Sequence, residues 1–218
     1  MTFCLTTTVI KPEQNRPVKN AVILLHGYGG DGKDISMLTL GWKRHLPNTV
    51  FLCPNGHEKC PINPSGFQWF DLTKDDSEYI IKESKKAENI LRDYINEIKN
   101  EYDLKNSEIC LSGFSQGCMM SINMGLISDE NFNSIVGFSG KIINQEDLIN
   151  RKISQTKMLL IHGDQDEVVA PTFLLEAKDF LIRAKCEVET KMIKNCGHQI
   201  PIEASSHALM YIKNNFKI

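Results

Sequence analysis

The sequence predicts an α/β fold in which helices cover both faces of a mostly parallel sheet, as a three-layer sandwich. Short apolar runs alternate with segments of helical periodicity from about residue 20 to the end of the chain. Such alternation is typical of parallel strands joined by helical crossovers. The apolar runs are also continuous instead of alternating with polar residues, which indicates strands buried on both faces.

The predicted elements follow in chain order. Apolar runs predict strands over residues 21–26, 49–53, 108–111, 134–138, 158–162 and 186–193. Residues 3–10 precede them and are predicted to form an antiparallel edge strand. Apolar residues at helical spacing predict helices over residues 35–46, 78–101, 116–127, 172–184 and 202–216. Because ligands bind beyond the carboxyl ends of the strands in such sheets, functional residues should directly follow strands.

The composition indicates one globular domain, residues 1–218, with room for a sizeable core. Its 25 Lys and Arg residues nearly balance 27 Asp and Glu residues, for a net charge of −2. A nucleic-acid binder usually carries a basic stripe or patch, so no nucleic-acid partner is predicted. The oligomeric state stays open, with a homodimer as one alternative.

Three features predict a cytoplasmic location. The start, MTFCLTTTVI, has neither a basic n-region nor a long apolar core, so it is not interpreted as a secretory signal. The longest apolar runs are far too short to cross a bilayer, which argues against stable membrane insertion. Seven cysteines are scattered without a repeated spacing, as expected of free thiols in a reducing compartment.

The segment LSGFSQGCMM places Ser115 between a predicted strand and a predicted helix. Because Gly113 and Gly117 lack β-carbons, the chain can turn sharply there and expose the serine hydroxyl, which is the context of a nucleophilic serine. The amide of Gln116 then belongs to a helix N-terminus, where unpaired donors favour an anion. The alternative is a glycine-rich helix start with Ser115 as a simple N-cap.

A serine hydroxyl becomes a good nucleophile only when a base takes its proton. Among six histidines, His198 stands in NCGHQIP between the last strand and the last helix, and it is the predicted base. His26 and His162 also end strands, but each precedes a glycine and is interpreted as shaping a turn. The other three histidines fall in predicted helices or a loop and are assigned surface or structural roles.

The imidazole needs an acceptor that holds its tautomer, and HGDQDEVV provides Asp164, Asp166 and Glu167 after a buried strand. Spacing does not choose between the two aspartates. The chain order serine, aspartate, histidine is that of α/β-hydrolases. The stretch LLHGYGG resembles the hydrolase loop that supplies an oxyanion donor, here the backbone N–H of Tyr28 beside that of Gln116.

Seven short motifs occur in family order: LLHGYGGDG, CPNG, GFQWFDL, GFSQGCMMS, GFSG, HGDQDEVV and GHQIP. Through them the chain resembles the phospholipase/carboxylesterase family of small serine hydrolases, which includes the acyl-protein thioesterases. The resemblance implies a three-layer α/β-hydrolase fold with a mostly parallel central sheet. It also implies an acyl ester or thioester substrate, and no metal or organic cofactor. By resemblance, Ser115 is the nucleophile, Asp166 the acid and His198 the base.

The acyl-chain region departs from the family pattern. The stretch HEKCPINPSGFQWFDL lacks the usual basic, Val-Thr-like pattern before its glycine, and Tyr28 stands where the family often has leucine. Apolar side chains near the predicted site are nevertheless available for a neutral acyl tail. The predicted substrate-binding residues are Phe67, Trp69, Val168 and Val169. The leaving group stays open between an alcohol, a thiol and a lysophospholipid.

Two other functions compete with this interpretation. The stretch CPNGHEKC brings Cys53, His57 and Cys60 close together in sequence, but a closed zinc site needs four ligands and no second pair lies at a partner spacing, so no metal is predicted. A catalytically silent hydrolase fold that acts as a binding module is the second alternative. The presence of every chemical part in the sequence favours an enzyme.

Overall fold

A seven-stranded sheet forms the centre of the computed structural model, which describes residues 3–13, 16–74, 76–143, 145–151 and 153–218. The strands of the molecule, in chain order, are β1 Thr7–Ile10, β2 Asn20–Leu25, β3 Thr49–Pro54, β4 Glu58–Cys60, β5 Asn63–Gln68, β6 Ile109–Phe114, β7 Ser134–Phe138, β8 Met158–Gly163 and β9 Val188–Ile193. The central sheet has the order β1-β3-β2-β6-β7-β8-β9, and β4 pairs with β5 in a separate hairpin.

All neighbouring strands of the central sheet run parallel except β1, which pairs antiparallel with β3. The predicted mostly parallel sheet and its antiparallel edge strand are therefore confirmed. Four neighbours, β6 to β9, place their carboxyl ends side by side along one edge. The loops that follow β6, β8 and β9 carry the predicted serine, aspartate and histidine.

The helices are α1 Gly32–Ile35, α2 Thr39–Trp42, α3 Ser77–Tyr102, α4 Gln116–Ile127, α5 Gln145–Ile149, α6 Thr172–Arg183 and α7 Ile202–Phe216. Residues of β2 alternate between two apolar cores, with Ala21, Ile23 and Leu25 in one and Val22 and Leu24 in the other. Residues from α3, α4 and α6 belong to the first core, and residues from α1, α2 and α7 to the second. This alternation explains why the strand is a continuous apolar run, since both of its faces are covered.

Helix α4 is buried on every side, from Gln116 to Leu126. It packs between the sheet and α3, so an all-round apolar pattern replaces the amphipathic one of a surface helix. Its N-terminus points at the carboxyl edge of the sheet, directly after β6. A rigid, buried element therefore holds the segment that carries Ser115.

The structure corrects two predicted elements and adds a hairpin and a short helix that were not predicted. The helix predicted over residues 35–46 is instead a series of short helical segments. The 3₁₀ helix Ser36–Leu38 follows α1, and the 3₁₀ helix Lys43–His45 follows α2. The hydroxyl of Thr39 donates to the carbonyl oxygen of Ser36, and such bonds compete with regular helix. The hairpin β4–β5 and the helix α5 were not predicted, because both are short and mostly polar. The last strand begins at Val188, two residues later than predicted.

No helix within the described residues combines the length and the apolar character needed to cross a membrane.

Candidate active site

Ser115 lies at a sharp bend between β6 and α4, with φ 52° and ψ −116°. Residues other than glycine rarely adopt this backbone conformation, so the surrounding structure must stabilise it. The amide of Ser115 donates to the carbonyl oxygen of Phe138 at 2.8 Å. A β-carbon on Gly113 would collide with the carbonyl oxygen of Gly117, and one on Gly117 would collide with that of Leu25. The two glycines are thus required by the close crossing of the chain around the serine.

His198 and Asp166 meet at this same edge of the sheet. The Nδ1–H of His198 donates to Asp166 Oδ2 at 2.8 Å, and the aspartate side chain is 0 % exposed. The other oxygen, Oδ1, accepts from the amides of Val168 at 3.0 Å and Val169 at 2.8 Å. The ring of His198 also packs against that of Phe114, with centroids 4.7 Å apart.

The protonation of Asp166 follows from these contacts. Burial raises the pKa of the carboxyl, but the hydrogen bonds from His198 and from the amides of Val169 and Val168 outweigh it, so the pKa lies below its ordinary value. The group is therefore a buried carboxylate with charge-assisted hydrogen bonds. Since a carboxylate can only accept, it holds the His198 proton on Nδ1 and leaves Nε2 with a free lone pair.

A second histidine contacts the same carboxylate. His162 is fully buried at the end of β8, and its Nε2 lies 2.8 Å from the carbonyl oxygen of Val169 and 3.3 Å from Asp166 Oδ2. A carbonyl oxygen only accepts, so His162 carries its proton on Nε2 and points it at both oxygens. From the sequence, His162 was predicted only to shape a turn. Its position four residues before Asp166 was the one signal that could have linked the two.

Asp164 lies elsewhere, although it is only two residues from Asp166. Its Oδ1 accepts from the amide of Cys196 at 3.3 Å, and Lys194 Nζ lies 3.6 Å from its Oδ2. It thereby ties the loop after β8 to the loop after β9. In the part of the chain that the structure describes, Asp166 contacts His198 and Asp164 does not.

The loop after β2 approaches Ser115 from the neighbouring strand. A β-carbon on Gly27 would lie 3.3 Å from that of Ser115. Among the described residues, neither the backbone N–H of Tyr28 nor that of Gln116 has a hydrogen-bond partner. Two unpaired amides next to a serine at a helix N-terminus form a suitable environment for an anionic oxygen.

The side chain of Gln116 holds this arrangement together. Its Oε1 accepts from the amide of Trp69 at 2.9 Å, and its Nε2 donates to the carbonyl oxygen of Phe70 at 2.6 Å. The indole of Trp69 in turn donates to the carbonyl oxygen of His26 at 2.9 Å. These bonds link the loops after β2 and β5 to the start of α4, so the positions of the two free amides depend on all three segments.

A cavity of about 430 Å³ opens beside Ser115 and Gln116, and we call it the serine-side cavity. Its lining is mostly apolar and comprises Phe70, Leu72, Ile80, Met119, Ile142, Ile143, Val168, Val169 and Phe173, with Ser77 and Lys141. The ammonium of Lys141 lies 4.9 Å from the centroid of the Phe173 ring. The cavity is within the size range of small-molecule sites.

The four predicted substrate-binding residues divide into two pairs. Val168 and Val169 line the serine-side cavity. Trp69 is fully buried behind it, and Phe67 lies outside it beneath the ammonium of Lys59, 3.9 Å from the ring centroid. The position of Trp69 and Phe67 does not support contact with a substrate in this cavity. Phe70, the residue after Trp69, lines the cavity instead.

Comparisons with known proteins agree with this geometry. The family model described as Phospholipase/Carboxylesterase matches residues 6–216. The chain belongs to the phospholipase/carboxylesterase family. Acyl-protein thioesterase 1 of Emericella nidulans is 33% identical over 174 residues, which cover 70% of this chain and 71% of the relative. That of Saccharomyces cerevisiae is 27% identical over 218 residues, covering 92% and 94%.

A solved structure extends the similarity to three dimensions. The crystal structure of esterase PE8 matches with a TM-score of 0.91 at 31% identity, covering 96% of this chain and 98% of that one. The family resemblance predicted from the seven motifs is therefore confirmed, and so is the α/β-hydrolase fold. Membership in the phospholipase/carboxylesterase family indicates an enzyme that hydrolyses esters.

The two cysteines of CPNGHEKC lie in different strands. Cys53 is buried in β3, where burial raises its pKa to about 12, and Cys60 is buried in β4. His57 lies between them, with its Nε2 3.6 Å from Glu58 Oε1. Across the described ranges, no three His, Cys, Asp or Glu side chains are grouped as a metal ion would require.

Proposed function

We propose that this protein is a serine hydrolase that cleaves monoacyl esters or thioesters through an acyl-enzyme intermediate. Ser115 is the nucleophile, His198 the general base and Asp166 the acid that orients the base. The observation that carries the proposal is the 2.8 Å hydrogen bond between His198 Nδ1 and Asp166 Oδ2, on the edge of the sheet where Ser115 sits at its strained bend. Family membership supports the ester or thioester substrate.

The proposed reaction has two halves. Ser115 Oγ attacks the acyl carbonyl carbon while His198 Nε2 takes its proton, and the backbone N–H groups of Tyr28 and Gln116 stabilise the resulting oxyanion. Collapse of this intermediate breaks the bond to the leaving group, which takes the proton from His198. Water then attacks the acyl-enzyme with His198 again acting as base. The fatty acid is released and free Ser115 is regenerated.

The serine-side cavity is the proposed site of the acyl chain. It adjoins the proposed nucleophile and its lining is predominantly apolar, with Lys141 as the only cation among the described residues that line it. Such a cavity favours a neutral tail at about 0.8 kcal/mol per buried methylene. The described part of its lining offers no pair of arginines with which to bind a phosphate bidentately.

Labelling with a fluorophosphonate tests the nucleophile. The probe should add once to the intact protein, with loss of fluoride, and Ser115→Ala should abolish the addition. Ser139 provides a matched control, because it follows β7 at the same edge with φ 48° and is also buried. Ser139→Ala should label as the native chain does. Labelling that survives in Ser115→Ala, or disappears in Ser139→Ala, would move the nucleophile away from Ser115.

We further propose a reducing compartment, the cytoplasm, as the place where the enzyme works. All seven cysteines are free thiols, and six of them are buried. Burial raises the pKa of both Cys110 and Cys118 to about 12, so these two thiols are protonated and unreactive at neutral pH.

A further inference from the structure

A second cleft opens on the other side of the candidate active site. It has a volume of about 700 Å³ and lies between the short helices α1 and α2 and the long helix α7. His198 and Phe114 line it, and Ser115 and Gln116 do not. The serine-side cavity shows the opposite arrangement, with Ser115 and Gln116 in its lining and His198 absent. We call the larger space the histidine-side cleft.

The chemistry of acyl transfer indicates which part of the substrate each of the two spaces would bind. The acyl group becomes bonded to the serine oxygen and must lie next to it and to the oxyanion donors. The leaving group departs with a proton from the histidine, so it must lie next to the histidine ring. Resting on the proposed function, we infer that the histidine-side cleft binds the leaving group, and that this group is an uncharged alcohol or thiol with an apolar or aromatic body.

The lining of the cleft supports an apolar occupant. Ile35 and Trp42 form its buried apolar part, and Phe114 beside them is partly buried. Met37 and Ile202, on the rims of the cleft, are 63% and 85% exposed. Large apolar side chains so exposed on opposite sides of one cleft lose contact with water only when a ligand covers them. A leaving group that does so gains the transfer free energy of the apolar surface that is buried.

The charges of the cleft give no preference for an ionic group. Asp34 and Arg44 both line it and have opposite signs. The Nε–H of Arg44 donates to Nε2 of His45 at 2.9 Å, so part of its guanidinium is already engaged. A phosphate-bearing leaving group, such as that of a lysophospholipid, would therefore gain little here and would lose its hydration.

The cleft is held open by a tertiary contact. The indole Nε1–H of Trp42, at the end of α2, donates to Ser205 Oγ on α7 at 2.9 Å. Trp42 is fully buried, so the bond fixes the distance between the two walls. The site is thus already formed before a ligand binds, which lowers the cost of binding.

Gly41 offers a direct test. It lines the cleft from within α2, and a β-carbon there would meet no atom within 4 Å. Because this position lines the cleft and has open space around a β-carbon, we expect Gly41→Leu to add bulk at the cleft, and leucine favours helix more than glycine does. Leu40, the preceding residue, is 61% exposed and does not line the cleft, so Leu40→Phe adds bulk outside it as a matched control.

The experiment compares two octanoyl esters that share the acyl chain and differ in the alcohol, methanol against 2-naphthylethanol. We expect the native protein to prefer the naphthylethyl ester at least tenfold in kcat/KM. Gly41→Leu should reduce this preference about tenfold, and Leu40→Phe should retain it. Ile202→Glu, which removes an exposed apolar lip residue, should also reduce it and serves if Gly41→Leu does not fold.

The outcomes separate this inference from the proposed function. Equal preference in the native protein and in both cleft variants would overturn the leaving-group site. A series of methyl esters of increasing acyl length tests the assignment from the other side. A shorter preferred acyl chain in Gly41→Leu, with an unchanged alcohol preference, would overturn the leaving-group site as well, because the two spaces would then have exchanged roles. Fluorophosphonate labelling of the same proteins is the separate check, since loss of labelling at Ser115 in the native protein contradicts the triad itself.

Discussion

Asp166 receives more polar contacts than any other side chain of the candidate site. Both of its oxygens are engaged, one by two backbone amides and the other by the rings of His198 and His162. Such a buried carboxylate, with donors on every side, is fixed in position and in protonation state. Asp164 shares the loop but contacts Cys196 and Lys194 instead, so the pair forms a natural control for the role of the acid.

We expect Asp166→Asn to lower kcat by about 10⁴, because the amide no longer holds the His198 proton on Nδ1. Asp164→Asn should lower it only about tenfold, through weaker hydrogen bonds between two loops. Steady-state kinetics on one acyl ester measure both effects, with thermal unfolding to verify that each variant is folded. If the two variants ranked in the opposite order, Asp164 would be the acid.

At the scale of secondary-structure elements, the site depends on segments that the chain brings together from far apart. Helix α4 begins directly after Ser115, the proposed nucleophile. The loop after β5 holds Gln116 through Trp69 and Phe70, and the first turn of α3 contributes Ile80 to the serine-side cavity. The N-terminus of α3 is itself capped, since the carboxylate of Asp76 accepts from the amide of Tyr79. We therefore expect the acyl-chain preference to depend on how α3 packs against α4.

We predict that kcat/KM rises a few-fold for each methylene added to the acyl chain until the serine-side cavity is full. Ile80→Trp, which adds volume inside the cavity, should shorten the optimal chain and lower the ratio of long-chain to short-chain activity about tenfold. Ile182→Trp adds the same ring on α6 at a position that is 54% exposed, outside the cavity, and should retain the native ratio. A series of acyl esters from two to twelve carbons measures this. A flat profile in the native protein would rule out an apolar acyl channel there.

At the scale of the whole molecule, a buried histidine connects the loop after β2 to the segment after β3. The Nδ1–H of His26 donates to the carbonyl oxygen of Gly27 at 2.7 Å, and its Nε2 accepts from the amide of Gly56 at 2.8 Å. Burial lowers the pKa of His26, against weaker opposing effects from the Gly27 carbonyl, Asp31 and Asp34. The residue must stay neutral in the folded state, because its protonation would break the bond from Gly56.

This histidine makes stability depend on pH. Below the unfolded-state pKa of about 6.5, the unfolded chain binds a proton on this histidine and the folded chain does not. The free energy of unfolding therefore decreases as the pH is lowered, until the lower folded-state pKa is reached. The slope contributed by His26 is at most about 1.4 kcal/mol per pH unit. Urea unfolding between pH 5 and 8 should show a shallower acid limb for His26→Gln than for the native chain. Parallel curves for the two proteins would contradict this.

Local sequence patterns predicted those features that depend on neighbouring residues. Strand and helix periodicity predicted the parallel sheet and most elements, because burial on both faces leaves a continuous apolar run. The glycines around Ser115 predicted the tight turn, since only glycine fits where the chain crosses itself. The motifs in order identified the family. Each of these signals lies within a stretch of about ten residues or in the order of such stretches.

Tertiary structure alone decided which side chains meet. Asp164 and Asp166 are equivalent by spacing, and only the turn after β8 and its contacts with the loop after β9 bring one of them to His198. In the same way, contacts with Gln116 and His26 turn Trp69 into the core and leave Phe70 facing the cavity. The histidine-side cleft exists only because α7 packs against α2 through Trp42 and Ser205, 163 residues apart in the chain. Contacts over such separations arise from packing of the complete fold, which no local periodicity encodes.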